Sequence, residues 1–171
     1  PPEARWSAPL WLVTHVALHR TTKVQTLTIA NGAAWTKGIG TLTLDGAVTL
    51  TDNNAVPNDL GDTIVAAATT TTQGSAIQLE DLTINGTLDS AGFDLYVNGN
   101  WTNNNQYTSG ANTVTFNAAA GGPYTITTGG VLDTQDFNNV VINNSSAVQL
   151  VTSDIEIDGT LDVSATSSLD M

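Results

Sequence analysis

The chain of 171 residues has no cysteine, and only four Lys and Arg stand against 16 Asp and Glu. Without cysteine there is no disulfide framework, no thiolate metal site and no Cys nucleophile. A net charge of -12 repels phosphate backbones and anionic lipid, both of which select for Lys and Arg, so nucleic acid is excluded as a partner. Glu, Lys, Arg and Gln, the residues that clothe helices, are scarce. No apolar run reaches the roughly 20 residues of a membrane-spanning helix, so membrane insertion is not expected.

What is present is Thr, Val, Leu, Asn, Asp and Gly. Branched Thr and Val suit a pleated surface, while Asn, Asp and Gly suit tight turns. The composition is that of an all-β domain, with enough Val, Ile and Leu to exclude intrinsic disorder.

Charge is segregated along the chain. Arg5, Arg20, Lys23 and Lys37, together with His15 and His19, all lie in the first 37 positions, whereas Gly38 to Met171 carries 15 acids and no Lys or Arg. Within itself that stretch can form no Lys or Arg salt bridge. A solvated acidic surface that discourages edge-to-edge association is the first reading. Cation binding, or docking of a neighbour's basic head, is the alternative.

Residues 1–24 read as an atypical N-terminal capping or assembly segment. Leu10, Leu12, Val16 and Leu18 alternate onto one face of a strand, an assignment we place slightly above a short helix. Arg5 followed by Pro9, with no small-residue cleavage site, argues against a signal peptide. His15 and His19 have metal-ligand spacing only if helical, and their neighbours are apolar, so we assign no metal to them.

Internal repeats set the fold for residues 25–171. Ser75-Ala-Ile-Gln-Leu79 returns as Ser146-Ala-Val-Gln-Leu150, 71 residues on. Leu82-Thr-Ile-Asn-Gly-Thr-Leu-Asp89 returns as Ile155-Glu-Ile-Asp-Gly-Thr-Leu-Asp162, 73 residues on. Fainter copies link Leu27–Gly32 to Leu82–Gly86 and Leu42–Thr49 to Leu95–Thr102, at offsets of 55 and 53. The units are therefore 27–81, 82–154 and a truncated 155–171. Within them, apolar-polar-apolar triplets precede Asn-Gly or Asp-Gly, the signal of a short strand and a turn. Such a chain winds into a right-handed parallel β-helix, a β-solenoid with a column of Leu, Ile and Val inside and Thr, Asn and Asp outside. An antiparallel β-sandwich is the alternative, but nothing in a sandwich calls for a repeat of 71 to 73 residues.

The stretch from Leu82-Thr-Ile-Asn-Gly-Thr-Leu-Asp89 through Gly99-Asn-Trp-Thr102 to Thr113-Val-Thr-Phe116 and Val140-Val-Ile-Asn143 resembles the repeats of large secreted or surface-anchored prokaryotic β-helix proteins, adhesin-like in kind. The resemblance covers 82–162 well, 27–50 weakly, and leaves the N-terminal residues unmatched. It implies an extracellular stalk, adhesin or sheath component and carries no chemistry of its own.

Candidate chemistry is thin. Asp133 and Asp136 have the residue types of an acid/base pair, but the body has no cation to hold an anionic sugar, and both read as turn residues. The segment Asp52–Asp62 gathers Asp52, Asn53, Asn58, Asp59 and Asp62, oxygen ligands of the kind Ca²⁺ prefers, yet fits no known calcium-loop spacing and reads as a solvated insertion. Asp154, Glu156 and Asp158 alternate as an acidic ladder. Thr-x-Thr triplets at 26–28, 41–43, 49–51, 113–115 and 125–127 invite an ice-binding reading, but their sequence spacing does not give one triplet per coil. Trp101 and Tyr107 bracket an Asn-rich turn, as a glycan site would, although Trp101 reads better as a cap on the apolar column. Asn85, Asn100, Asn143 and Asn144 fit glycosylation sequons, which arise readily in such a composition.

These readings assign no catalytic, cofactor-binding or metal residue, and expect no enzyme. They point to an extracellular or cell-surface structural protein: a β-solenoid subunit or fragment of a filament, stalk, sheath or adhesin. Its expected partners are identical subunits or the continuation of a longer chain. A glycan-binding module is the second expectation and a polysaccharide-degrading β-helix enzyme the third.

Overall fold

The computed structural model describes residues 26–117, 122–128, 134–143, 147–151 and 154–171, and the backbone of four short strands before them. Among the described residues every element is a strand, and every strand pairing is parallel. The architecture is a β-solenoid, as the repeats and alternation require, and not a sandwich.

The first coil carries β1 (Ala4–Arg5), β2 (Leu10–Leu12) and β3 (Val16–Ala17). The second carries β4 (Thr22–Val24), β5 (Leu27–Ile29) and β6 (Trp35–Thr36), and the third β7 (Leu42–Leu44) and β8 (Ala47–Asp52). Three regular coils follow: β9 (Thr63–Val65), β10 (Thr70–Gln73) and β11 (Ile77–Leu79); β12 (Leu82–Ile84), β13 (Thr87–Asp89) and β14 (Leu95–Val97); β15 (Trp101–Asn103), β16 (Gln106–Thr108) and β17 (Thr113–Phe116). Then come β18 (Tyr124–Thr128) with β19 (Asn139–Ile142), β20 (Ala147–Leu150) with β21 (Leu161–Val163), and β22 (Ser168–Asp170). From Leu42 onward the chain makes about six turns.

One strand of each coil joins a nine-stranded first sheet running from β1 to β22. The second sheet has six strands, from β2 to β16, and the third has five, from β11 to β21. Register in the first sheet pairs Leu42 with Thr63, Thr63 with Leu82, Leu82 with Trp101, Trp101 with Ile126 and Ile126 with Leu150, so a coil takes 19 to 25 residues.

The triplets form strands because their first and third residues can be stacked inside. In the third sheet Ile77, Leu95, Val114 and Val140 make one buried column and Leu79, Val97, Phe116 and Ile142 another. At about 0.8 kcal/mol per buried CH₂, these columns are the main favourable term in the fold. Corners are tied by side chains stacked from coil to coil. Asn100 donates its backbone N–H and its amide to Asp81 Oδ1 at 2.6 and 3.0 Å, and its own Oδ1 accepts the Thr125 N–H at 2.9 Å. The Asn85-Gly86 corner needs glycine for space, since a Cβ on Gly86 would drive into the carbonyl oxygens of Ala66 and Thr69.

The sequence repeats do not coincide with coils. Ile77-Gln-Leu79 lies in the third sheet, but its copy Val148-Gln-Leu150 lies in the first; Thr87-Leu-Asp89 lies in the second, but its copy Thr160-Leu-Asp162 supplies β21 of the third. The repeated unit is a strand and its turn. An offset of 71 to 73 residues advances it three turns and one face.

Candidate functional site

The Asp52–Asp62 segment is ordered by its own side chains. Asp52 ends β8 facing inward and is 3% exposed. Its Oδ1 accepts the N–H and the amide of Asn54 at 3.0 and 2.7 Å, and its Oδ2 accepts the N–H and the amide of Asn58 at 2.6 and 2.8 Å. Those asparagines pass the link to the preceding coil, where the N–H groups of Gly32 and Trp35 donate to Asn54 Oδ1 and Asn58 Oδ1 at 2.7 and 3.1 Å. Four N–H dipoles thus stand where a cation's charge would, which is how a buried carboxylate is satisfied without one.

Asp59 is likewise engaged, by Lys37 Nζ at 2.6 Å and the Asn98 amide at 3.1 Å, and Lys37 also pairs with Glu80. The residue just before the cation-free body therefore supplies positive charge to two of its coils. Asn53 and Asp62 are exposed and do not converge with Asp52. Among the described residues no three His, Asp or Glu side chains are grouped to hold a metal ion.

The aromatic pair that suggested a glycan site is interior, a correction to that reading. Trp101 and Tyr107 occupy inward positions of β15 and β16 and pack with Phe116 and Phe137. Alternation puts them there: each flanks polar neighbours that face out. Tyr107 keeps its polar end satisfied by accepting the Asn112 amide at 2.6 Å. Burial pushes its hydroxyl well above the ordinary tyrosine range, opposed by its hydrogen bonds.

Asp133 lies outside the described residues, as do His15 and His19. Asp136 instead shares an open cleft of about 290 Å³ with Asp158 and the stretch from Gln106 to Gly110. The bridge between Phe137 and Ile157 brings these two carboxylates onto adjacent coils. Residues 154–158 do not form the expected strand: only Ile157 bridges, while Ile155 and Ile157 pack against the core. The approach of Asp136 to Asp158 has no local signature, because it follows from a bridge between residues 20 apart.

The threonine triplets divide among faces. Those at 41–43 and 125–127 lie on the first sheet and that at 113–115 on the third, but 26–28 and 49–51 fall in register on the second. Of the sequons, Asn85 and Asn100 are held in corner ladders, Asn143 is exposed, and Asn144 lies outside the described residues.

No family model, curated protein or solved structure matches the chain.

Proposed function

We propose that the protein is a non-enzymatic structural β-solenoid of the cell exterior, a subunit or section of a surface filament, stalk, sheath or adhesin. The observation that carries this reading is the stack of parallel coils, with apolar columns unbroken in the third sheet and corners tied by side chains, which supports a stiff rod whose sheets can accept further coils. At the column positions of β21, Leu161 is 45% and Val163 38% exposed, whereas their counterparts Val140 and Ile142 are fully buried. Another coil packed there, from a second copy or from the same longer chain, would cover them. The resemblance of the repeats supports the extracellular setting.

The test is surface labelling of the native cell combined with electron microscopy and sedimentation of the purified chain. Rods or filaments on the cell exterior are expected, and a protein confined to the cytoplasm would overturn the reading.

Glycan binding is the second reading, and the Asp136–Asp158 cleft, lined by Gln106, Thr108 and Ser109, is the observation that favours it. Its hydroxyl, amide and carboxylate groups suit a neutral sugar. Binding on a glycan array that Asp136→Asn weakens would support it; release of sugar by the wild-type chain would point instead to a polysaccharide-degrading enzyme.

A further inference from the structure

We propose that the outer face of the second sheet binds ice. Strand register converts scattered threonines into a grid. Thr28 pairs with Thr51, which sets Thr26 opposite Thr49, and Thr49 pairs in turn with Thr72. Thr72 thus continues the column begun at 26 and 49 over three successive coils, while Thr70, opposite Ala47, starts a second column and the Thr28–Thr51 column ends at Gly74, an order that the irregular sequence spacing conceals. Thr70 pairs with Thr87, and Thr108 follows Asp89. Of the twelve outward positions from 26 to 108 on this face, eight are threonine, and the others are Ala47, Gly74, Asp89 and Gln106.

The grid is regularly spaced and fixed before any ligand arrives. Strands stand about 4.8 Å apart and alternate residues about 6.8 Å apart along a strand, so the threonines sit on a two-dimensional lattice. Threonine is stiff at χ1, and little side-chain entropy is lost when it is ordered. Beneath lie the buried Leu27, Val48, Leu50 and Leu88, which hold the backbone in place. Each threonine offers a hydroxyl that donates and accepts, beside a methyl that carries no charge.

Charge and aromatic content select the ligand. The body carries 15 acids, yet only Asp89 stands on this face. A neutral face does not impose the tight, disordered hydration of ions on the water above it. Trp11 of β2 is in register with Thr28 at one end of the sheet, but none of the twelve positions from 26 to 108 is aromatic, so across them the stacking platform that a sugar ring seeks is missing. Ordered water, held at regular spacing by hydroxyls and shaped by methyls, is the ligand that such a surface fits.

The test is ice recrystallisation and thermal hysteresis measured with the whole purified chain. The wild type is expected to block recrystallisation and to shape ice crystals. Thr49→Lys and Thr72→Lys are expected to abolish both effects with an unchanged circular-dichroism melt, while Thr115→Lys on the third sheet leaves them intact. Absence of any effect from the folded wild type would overturn the proposal, as would equal loss in Thr115→Lys. Adsorption to crystalline cellulose or chitin without an effect on ice would also overturn it and assign the face to polysaccharide.

Discussion

Trp101 and Tyr107 meet edge to face inside the solenoid, their ring centroids 5.0 Å apart and their planes at 84°. Phe137 lies 5.0 Å from Trp101 on its other contact, so two successive coils share one aromatic cluster. Trp101→Ala should cost about 3–5 kcal/mol, because neighbouring coils are fixed by their ladders and cannot close around the void. Urea denaturation followed by circular dichroism measures it, and a loss below about 1 kcal/mol would show that the cluster is not a packing centre.

Tyr107 also makes stability depend on alkaline pH. Burial favours its neutral form and raises its pKa in the folded chain, while the unfolded chain ionises near about 10. The contribution is therefore complete below about pH 10 and declines above it, by up to roughly 1.4 kcal/mol for each pH unit until the folded pKa is reached. Tyr107→Phe should flatten this decline in denaturation curves between about pH 9 and 11, and an unchanged slope would show that Tyr107 is not its source.

Removing the Asp52 carboxylate strands donors from two asparagines. Asp52→Ala should destabilise by about 2–4 kcal/mol, and Asp52→Asn by a similar amount, because the new amide turns a donor toward donors. Calcium or a chelator should leave the melting temperature of the wild type where it was. A calcium-dependent rise would mean that these amides yield to an ion.

Lys37 contacts Asp59 and Glu80 but is 41% exposed. Lys37→Ala should cost less than about 1 kcal/mol, with the difference shrinking in high salt. A larger, salt-insensitive loss would assign Lys37 a packing role over Gly61, whose position it crosses.

The solenoid itself was legible because its evidence is local. Leu82-Thr-Ile84 and its relatives carry the strand period, and the following Asn-Gly or Asp-Gly carries the corner. What could not be read locally was anything set by register. The coil length follows from which residue stacks on Trp101, and the turn signal Gly121-Gly122-Pro123 ahead of Ile126 does not say which residue that is. The same gap hid the Asp136–Asp158 cleft and the alignment of Thr26, Thr49 and Thr72. It also left Trp101 and Tyr107 ambiguous, since alternation states that two residues share a face but not whether that face looks inward. Asp52 reads as part of a solvated insertion yet is buried, because the amides that satisfy its oxygens belong to the same segment and meet it only in the folded chain.

The mismatch between sequence repeat and coil has a consequence for how such a chain can grow. Duplicating a stretch of about 72 residues turns everything downstream by a third of a revolution about the long axis. The core accepts this, since all three walls ask a strand for the same pattern, but the outer surfaces change places. A lengthened descendant would keep its rod and redirect its faces, so a threonine wall could be moved, split or aligned with a neighbour by gene duplication alone, without altering a single strand.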